Sequence, residues 1–221
     1  MQALFKEIID GDTEKVVERL ERDSGIVALT ATAPPKKYGG QSPLQVAVRS
    51  GQFAIASLLV EHGADVDFVD TDSPNGWSAP VLHDAVVAAV MRSRWLRPGD
   101  RSANPPEWHL AQSKDQSDEA FAVLELLLEK GADVHALDSY GNSALGRAVV
   151  TARQVLPKHR HNEPDWVDPK PLNDELVADL DRVFGALYAR GADPSKIDPH
   201  LEHPLDAFYG AEPVGRFLKR S

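Results

Sequence analysis

The chain has 221 residues, 42% of them hydrophobic and 26% charged, a balance typical of a soluble globular protein long enough to bury a sizeable core. It contains no cysteine, which excludes disulfides, thiolate metal sites and cysteine nucleophiles. A formal net charge of −10 argues against a general nucleic-acid binder, whose phosphate contacts need a basic face, and suits a basic protein partner as well as plain solubility.

The first segment, ALFKEIIDGDTEKVVERLER (3–22), reads as two short helices separated by Gly11-Asp12. It lacks the basic start and apolar stretch of a secretory signal, and runs such as AVVAAVM (85–91) are too short to cross a bilayer, so a cytoplasmic location is expected. Three later segments share one design: FAIASLLVEHGAD (53–65), FAVLELLLEKGAD (121–133) and VFGALYARGAD (183–193). Apolar residues at Ile55, Leu58 and Leu59, and at Val123, Leu126 and Leu127, recur at the spacing of a helix face. The following Gly63, Gly131 and Gly191 suit the left-handed position just past a helix end, where they act as structural anchors.

Ahead of the first of these stands GGQSPLQVAVRSGQ (39–52); NGWSAPVLHDAVV (75–87) and YGNSALGRAVV (140–150) follow the first and second. Together they resemble the ankyrin repeat, whose pattern runs D-x-x-G-x-T-P-L-H-x-A-A, two helices, then G-A-D. Ser42-Pro43-Leu44-Gln45 stands at the T-P-L-H turn with Gln for His; Leu82-His83-Asp84-Ala85 keeps L-H-x-A; Ser143-Ala144-Leu145-Gly146 lacks both Pro and His. The resemblance implies an all-α ankyrin-repeat solenoid of about five helix pairs with β-hairpin-like fingers, one domain over 1–221, capped by 3–22 and by HPLDAFYGAEPVGRFLK (203–219). It implies that His83 hydrogen-bonds its turn, and that the fingers and first helices bind another protein. The matching finger positions are Tyr38, Gln41, Phe68, Asn75, Trp77, Tyr140 and Asn142. Trp77 reads equally as a hot spot for a partner or as a cover for the extra residues Thr71 to Pro74.

The Gly-Ala-Asp copies lie 68 (131 − 63) and 60 (191 − 131) residues apart, about twice the ankyrin period of roughly 33. The excess falls in two insertions between paired helices, roughly 92–117 and 153–173, expected to form a lobe beside the solenoid. Both begin basic, with Arg92, Arg94, Arg97 and Arg101, then Arg153, Lys158 and Arg160. Both reach an Asn, Pro, acid, Trp phrase (NPPEW, 104–108; NEPDW, 162–166) and enter the next helix through Asp118-Glu119 or Asp174-Glu175. Duplication of an elaborated repeat explains this and predicts that the insertions pack side by side. Trp108 and Trp166 are expected to staple them to their helices, leaving Trp95 as the exposed, partner-binding aromatic.

His159, His161, Asp165 and Asp168 cluster in sequence, with His109 the sole counterpart in the first insertion. A metal needs three or four converging ligands, so a solvated polar loop is expected and no metal or cofactor. The acid pairs Asp67/Asp70 and Asp179/Asp181 read as solubilising charge. Nucleophile elbow, H-E-x-x-H, P-loop and G-x-G-x-x-G patterns are absent. The expectation is a non-catalytic protein-binding module. Its alternatives are an immunity protein that neutralises a cognate bacterial toxin, and a metal-dependent enzyme on His159, His161 and Asp165.

Overall fold

A computed structural model describes residues 3–32, 38–70, 76–100, 107–163 and 165–219. Thr71 to Pro74, Asn75, Arg101, Asn104 to Pro106 and Pro164 lie outside the described residues. The chain is rich in helix: α1 (Ala3–Asp10), α2 (Thr13–Arg22), α3 (Pro43–Ser50), α4 (Phe53–Glu61), α5 (Val81–Met91), α6 (Lys114–Glu129), α7 (Ala144–Val155), α8 (Asp174–Ala189) and α9 (Leu205–Tyr209). Short 3-10 helices cover Ser24–Ala28 and Pro213–Leu218.

Several helices start where a side chain can satisfy the orphan amides of the first turn. Asp12 accepts from Lys15 N, Ser42 from Gln45 N, and Ser143 from Gly146 N. At α6, Ser113 and Gln116 close a capping box, so this helix starts at Lys114, a turn earlier than Asp118-Glu119 suggested. Gly63, Gly131 and Gly191 have φ of 85°, 93° and 94°. The alanine amides that follow reach back to Leu59 O, Leu127 O and Leu187 O, the double-bonded end of a Schellman motif.

Consecutive helices pack in pairs: α1 on α2, α3 on α4, α5 on α6, α7 on α8, and α9 on the final 3-10 turn. Pairs then stack, with α1, α3, α5 and α7 touching in one row and α4, α6 and α8 in another. One apolar cluster runs through all of them, from Phe5 and Ile8 through Leu44, Leu82 and Leu145 to Phe184 and Phe217. Burying each of the larger side chains contributes about 1.5–3 kcal/mol.

The insertions differ from each other more than their shared phrase predicts. The first holds an antiparallel hairpin, β1 (Leu96–Pro98) with β2 (Trp108–Leu110), registered Pro98 opposite Trp108. The second shows no strand among its described residues. They nevertheless touch: Asn173 Nδ2 donates to Arg94 O at 2.9 Å, and Lys170 Nζ lies 5.0 Å from the Trp95 ring centroid. A second antiparallel pair, β3 (Ile197–Asp198) with β4 (His203–Pro204), forms the last finger.

The tryptophan roles are redistributed. Trp95, expected to be exposed, packs against the apolar core, and its indole N–H donates to Met91 O at 3.2 Å, one of the carbonyls left over at the end of α5. Trp108 is half-buried in β2, and half-buried Trp166 lies 4.1 Å under the Arg160 guanidinium. The staple of the first insertion is instead a charge. Asp179 on α8, read from sequence as solubilising, is buried; it accepts from Arg94 N (2.9 Å), Arg94 Nε (3.0 Å), Arg94 Nη2 (2.8 Å) and Ser117 Oγ (2.9 Å). Burial pushes its carboxyl up, but these donors outweigh it and hold the group below its ordinary pKa. Asp70 is also buried, accepting from Ala79 N at 2.8 Å beside Arg49, whereas Asp67 and Asp181 are exposed as expected.

Candidate functional site

The row α3, α5, α7 and the fingers leading into it carry a chain of buried polar groups. Arg49 on α3 donates to Asp84 on α5 at 2.8 Å and lies 3.5 Å from Asp70 in the first finger. Gln45, at the turn's His position, donates to Ala79 O at 3.1 Å. His83, at the same position one repeat on, bonds Ala136 O of the next finger at 3.0 Å, reaching across the repeat boundary. Arg147 on α7 pairs with Asp138, which also accepts from Tyr140 N, Asn142 N and Asn142 Nδ2. Burial and these donors act oppositely on Asp138, and the net effect keeps it ionised below its ordinary pKa.

Half-buried Trp77 sits within this row between two guanidiniums, with Arg49 4.9 Å and Arg147 5.7 Å from its ring. Each contact contributes about 0.5–1 kcal/mol and holds the indole between α3 and α7. The arginines were not singled out from sequence, although each sits in a first helix within five residues of its turn leucine, Leu44 or Leu145.

The other expected finger residues separate by burial. Tyr140 is 61% exposed and Phe68 is half-buried. Tyr38, Gln41 and Asn142 are buried, which corrects their reading as surface contacts. Asn142 is turned inward because both Asp138 oxygens need donors; Tyr38 joins the apolar cluster, and Gln41 O closes the loop by accepting from Ala31 N at 2.8 Å. Asn75 lies outside the described residues.

Sequence reading missed three exposed aliphatics. Val69, Leu137 and Ile197 stand six residues after Gly63, Gly131 and Gly191 and are all exposed, Ile197 by 70%. The signal was present: an aliphatic recurs in all copies next to an aspartate (Asp70, Asp138, Asp198) that the structure buries. The aspartate caps the finger inward, so its neighbour points out.

On the second insertion, Arg153 and His161 both engage buried Glu212, at 2.6 Å and 3.2 Å, and His159 stacks edge-on to His161 at 4.7 Å. Asp168 accepts from the Lys158 and Lys170 amides. Among the described residues no group of three or more histidines and carboxylates is arranged to hold a metal ion, and no helix is long and apolar enough to cross a membrane.

Comparison with known proteins matches residues 39–71, the α3–α4 unit with the start of its finger, to the ankyrin repeat family model. Over 158 residues, 66% of the chain, the protein is 28% identical to E3 ubiquitin-protein ligase KEG of Arabidopsis thaliana. The aligned stretch spans 9% of that much longer relative. Ankyrin repeats are typically non-catalytic and generally mediate protein–protein interaction. With the helix pairs, glycine caps and His83 bridge already described, the repeat matched at 39–71 and the similarity to this relative support an ankyrin-repeat protein.

Proposed function

We propose that this protein is a non-catalytic binding module, one domain over 1–221 whose five helix pairs form a single solenoid with the insertions as a lobe at its side. It captures a protein partner in the cytoplasm on the fingers and the α3–α5–α7 row, without metal, cofactor or nucleic acid. The observation that carries the reading is Trp77, held by Arg49 and Arg147 in the same row of fingers as exposed Tyr140. A pre-ordered aromatic such as Trp77 is the kind of group that dominates binding energy, because little side-chain entropy remains to be lost. No ligase activity is carried over from the plant relative, which this chain matches along less than a tenth of its length.

A narrower version is neutralisation of a basic toxin. The charge of −10 would speed capture of a basic protein by long-range attraction. A secreted-toxin reading frame beside the gene would support it, and a housekeeping neighbourhood would oppose it.

The test is affinity capture with the intact chain and with Trp77→Ala/Tyr140→Ala. The double variant is expected to lose about thirtyfold or more in affinity while keeping a cooperative thermal transition. Undiminished capture by a folded double variant overturns the proposed face.

A further inference from the structure

The third repeat departs from the second at one position with a spatial consequence. His83 fills the junction between its turn and the next finger, bonding Ala136 O and standing 4.0 Å from the Asp138 carboxylate. Gly146 occupies the same place in Ser143-Ala144-Leu145-Gly146 and faces the last finger, where Asp198 takes the register of Asp138 (131 + 7 and 191 + 7). A Cβ on Gly146 would stand 3.1 Å from Asp198 Oδ2, so the missing imidazole and this carboxylate address the same spot.

A cleft of about 240 Å³ lies between these two fingers. Its apolar lining includes Val134, Leu137, Leu145, Ile197 and Leu205, and Asp198 contributes the carboxylate. Asp198 is only 5% exposed. Its Oδ1 accepts from His200 N at 3.0 Å and Leu201 N at 3.1 Å. Oδ2 has no hydrogen bond, and no cation pairs with it among the described residues. The two equivalent aspartates each have a guanidinium, Arg49 at Asp70 and Arg147 at Asp138. The other charged side chains lining the cleft are His135, Asp193 and Lys196.

We propose that this cleft receives a basic side chain, a lysine or arginine, from the partner protein. Its aliphatic stem lies between Leu137 and Ile197 and its cation meets Asp198 Oδ2, replacing the guanidinium that the other two fingers hold within the chain. A buried carboxylate with an open oxygen favours a charged donor over a neutral group, because leaving it unpaired on complex formation costs the full desolvation penalty. The aliphatic walls match a side chain that carries its charge at the end of a hydrocarbon stem. The net charge of −10 draws the same class of partner. The inference rests on the finger side being the partner-binding face, and it specifies what is recognised there.

The cleft is testable without the partner. Amide shifts of the intact chain are followed by NMR during titration with n-butylguanidinium and n-butylammonium, with neutral butyramide as comparison. Expected is saturable, millimolar binding of the cations, with shifts centred on Leu137, Leu145, Ile197 and Asp198, and binding of butyramide weaker by about tenfold or more. Gly146→His, which restores the side chain seen at His83, is expected to abolish cation binding. Should that variant not fold, Asp198→Asn, which keeps an acceptor for the His200 and Leu201 amides, is expected to weaken cation binding about tenfold and leave butyramide unchanged. Absence of saturable binding, equal binding of butyramide, shifts elsewhere, or cation binding unaltered in the variant would each overturn the proposal. Because the probes bind without a partner, a failed cleft and a failed Trp77/Tyr140 face give separate results.

Discussion

His83 and Asp84 are adjacent at the start of α5, both buried, and carry opposite pH dependences. Burial disfavours the imidazolium of His83 and lowers its pKa from 6.5 to about 4, despite the bond to Ala136 O and the charge of Asp138. Burial also disfavours the Asp84 carboxylate and raises its pKa from 3.8 to about 6, against the attraction of Arg49. As the pH falls from about 6.5 to about 4, the unfolded chain gains a proton at His83 that the folded chain refuses, so His83 removes stability on acidification. Asp84 does the reverse, since the folded chain takes up its proton first and is relieved of an ionised buried group. Each effect reaches up to about 3 kcal/mol, and in the native chain they largely cancel. Asp84→Asn is therefore expected to lose stability steeply between pH 6.5 and about 4, leaving the His83 slope alone. His83→Gln, which copies the amide that Gln45 places at the same turn, is expected to gain stability over that interval. Urea unfolding in small pH steps reads both slopes, and parallel profiles would contradict the assignment.

Residue burial is also where the sequence was hardest to read. Asp179 lies on the stripe Leu176, Asp179, Leu180, Val183 and Phe184, spaced as one helix face, so its burial was legible from position although its charge suggested otherwise. What the stripe could not supply was the partner: Arg94 lies 85 residues away along the chain.

Among elements, the Arg94–Asp179–Ser117 node ties the entry of the first insertion to α6 and α8. Removing one member of a buried, multiply bonded charge pair leaves the other uncompensated, so Asp179→Ala is expected to destabilise the protein by about 3–5 kcal/mol. The same variant should speed proteolysis within 92–113, because Trp95 and the β1–β2 hairpin then lose their tether; cleavage as slow as in the native chain would show that the hairpin is held by other contacts. The helix ends behave more simply. A Cβ at Gly63 or Gly131 would meet nothing within 4 Å, and at Gly191 only His135 at an ordinary 3.8 Å. Alanine at each position therefore incurs only the left-handed backbone penalty, about 1–2 kcal/mol. Three equal losses of melting stability are expected, and a much larger loss at one of them would reveal packing that this geometry lacks.

At the scale of the whole molecule, repetition is the source of both stability and variety. Each pair buries its apolar side against the next; Gln45, Arg49 and His83 carry polar links across the α3/α5 and α5/α7 boundaries, and Arg147 ties α7 to the finger that leads into it. Where the turn keeps its His or Gln, that side chain bridges to the next finger; at Gly146 no side chain does so, and a cleft lies beside the buried Asp198 carboxylate. Insertions are accommodated because they leave between helices of a pair, where the cost of loop closure grows only logarithmically with length.

The sequence by itself determined the helix pairs, their glycine ends and the ankyrin resemblance. All of these follow from spacings of a few residues and from caps made within one turn, which are local in the chain. Only the tertiary structure decided that Tyr38, Gln41 and Asn142 turn inward, that Trp95 rather than Trp108 or Trp166 packs on the core, and that Arg49 and Arg147 hold Trp77. Those outcomes depend on which groups, distant along the chain, share one low-dielectric space, and there burial and pairing set the energy of a polar side chain.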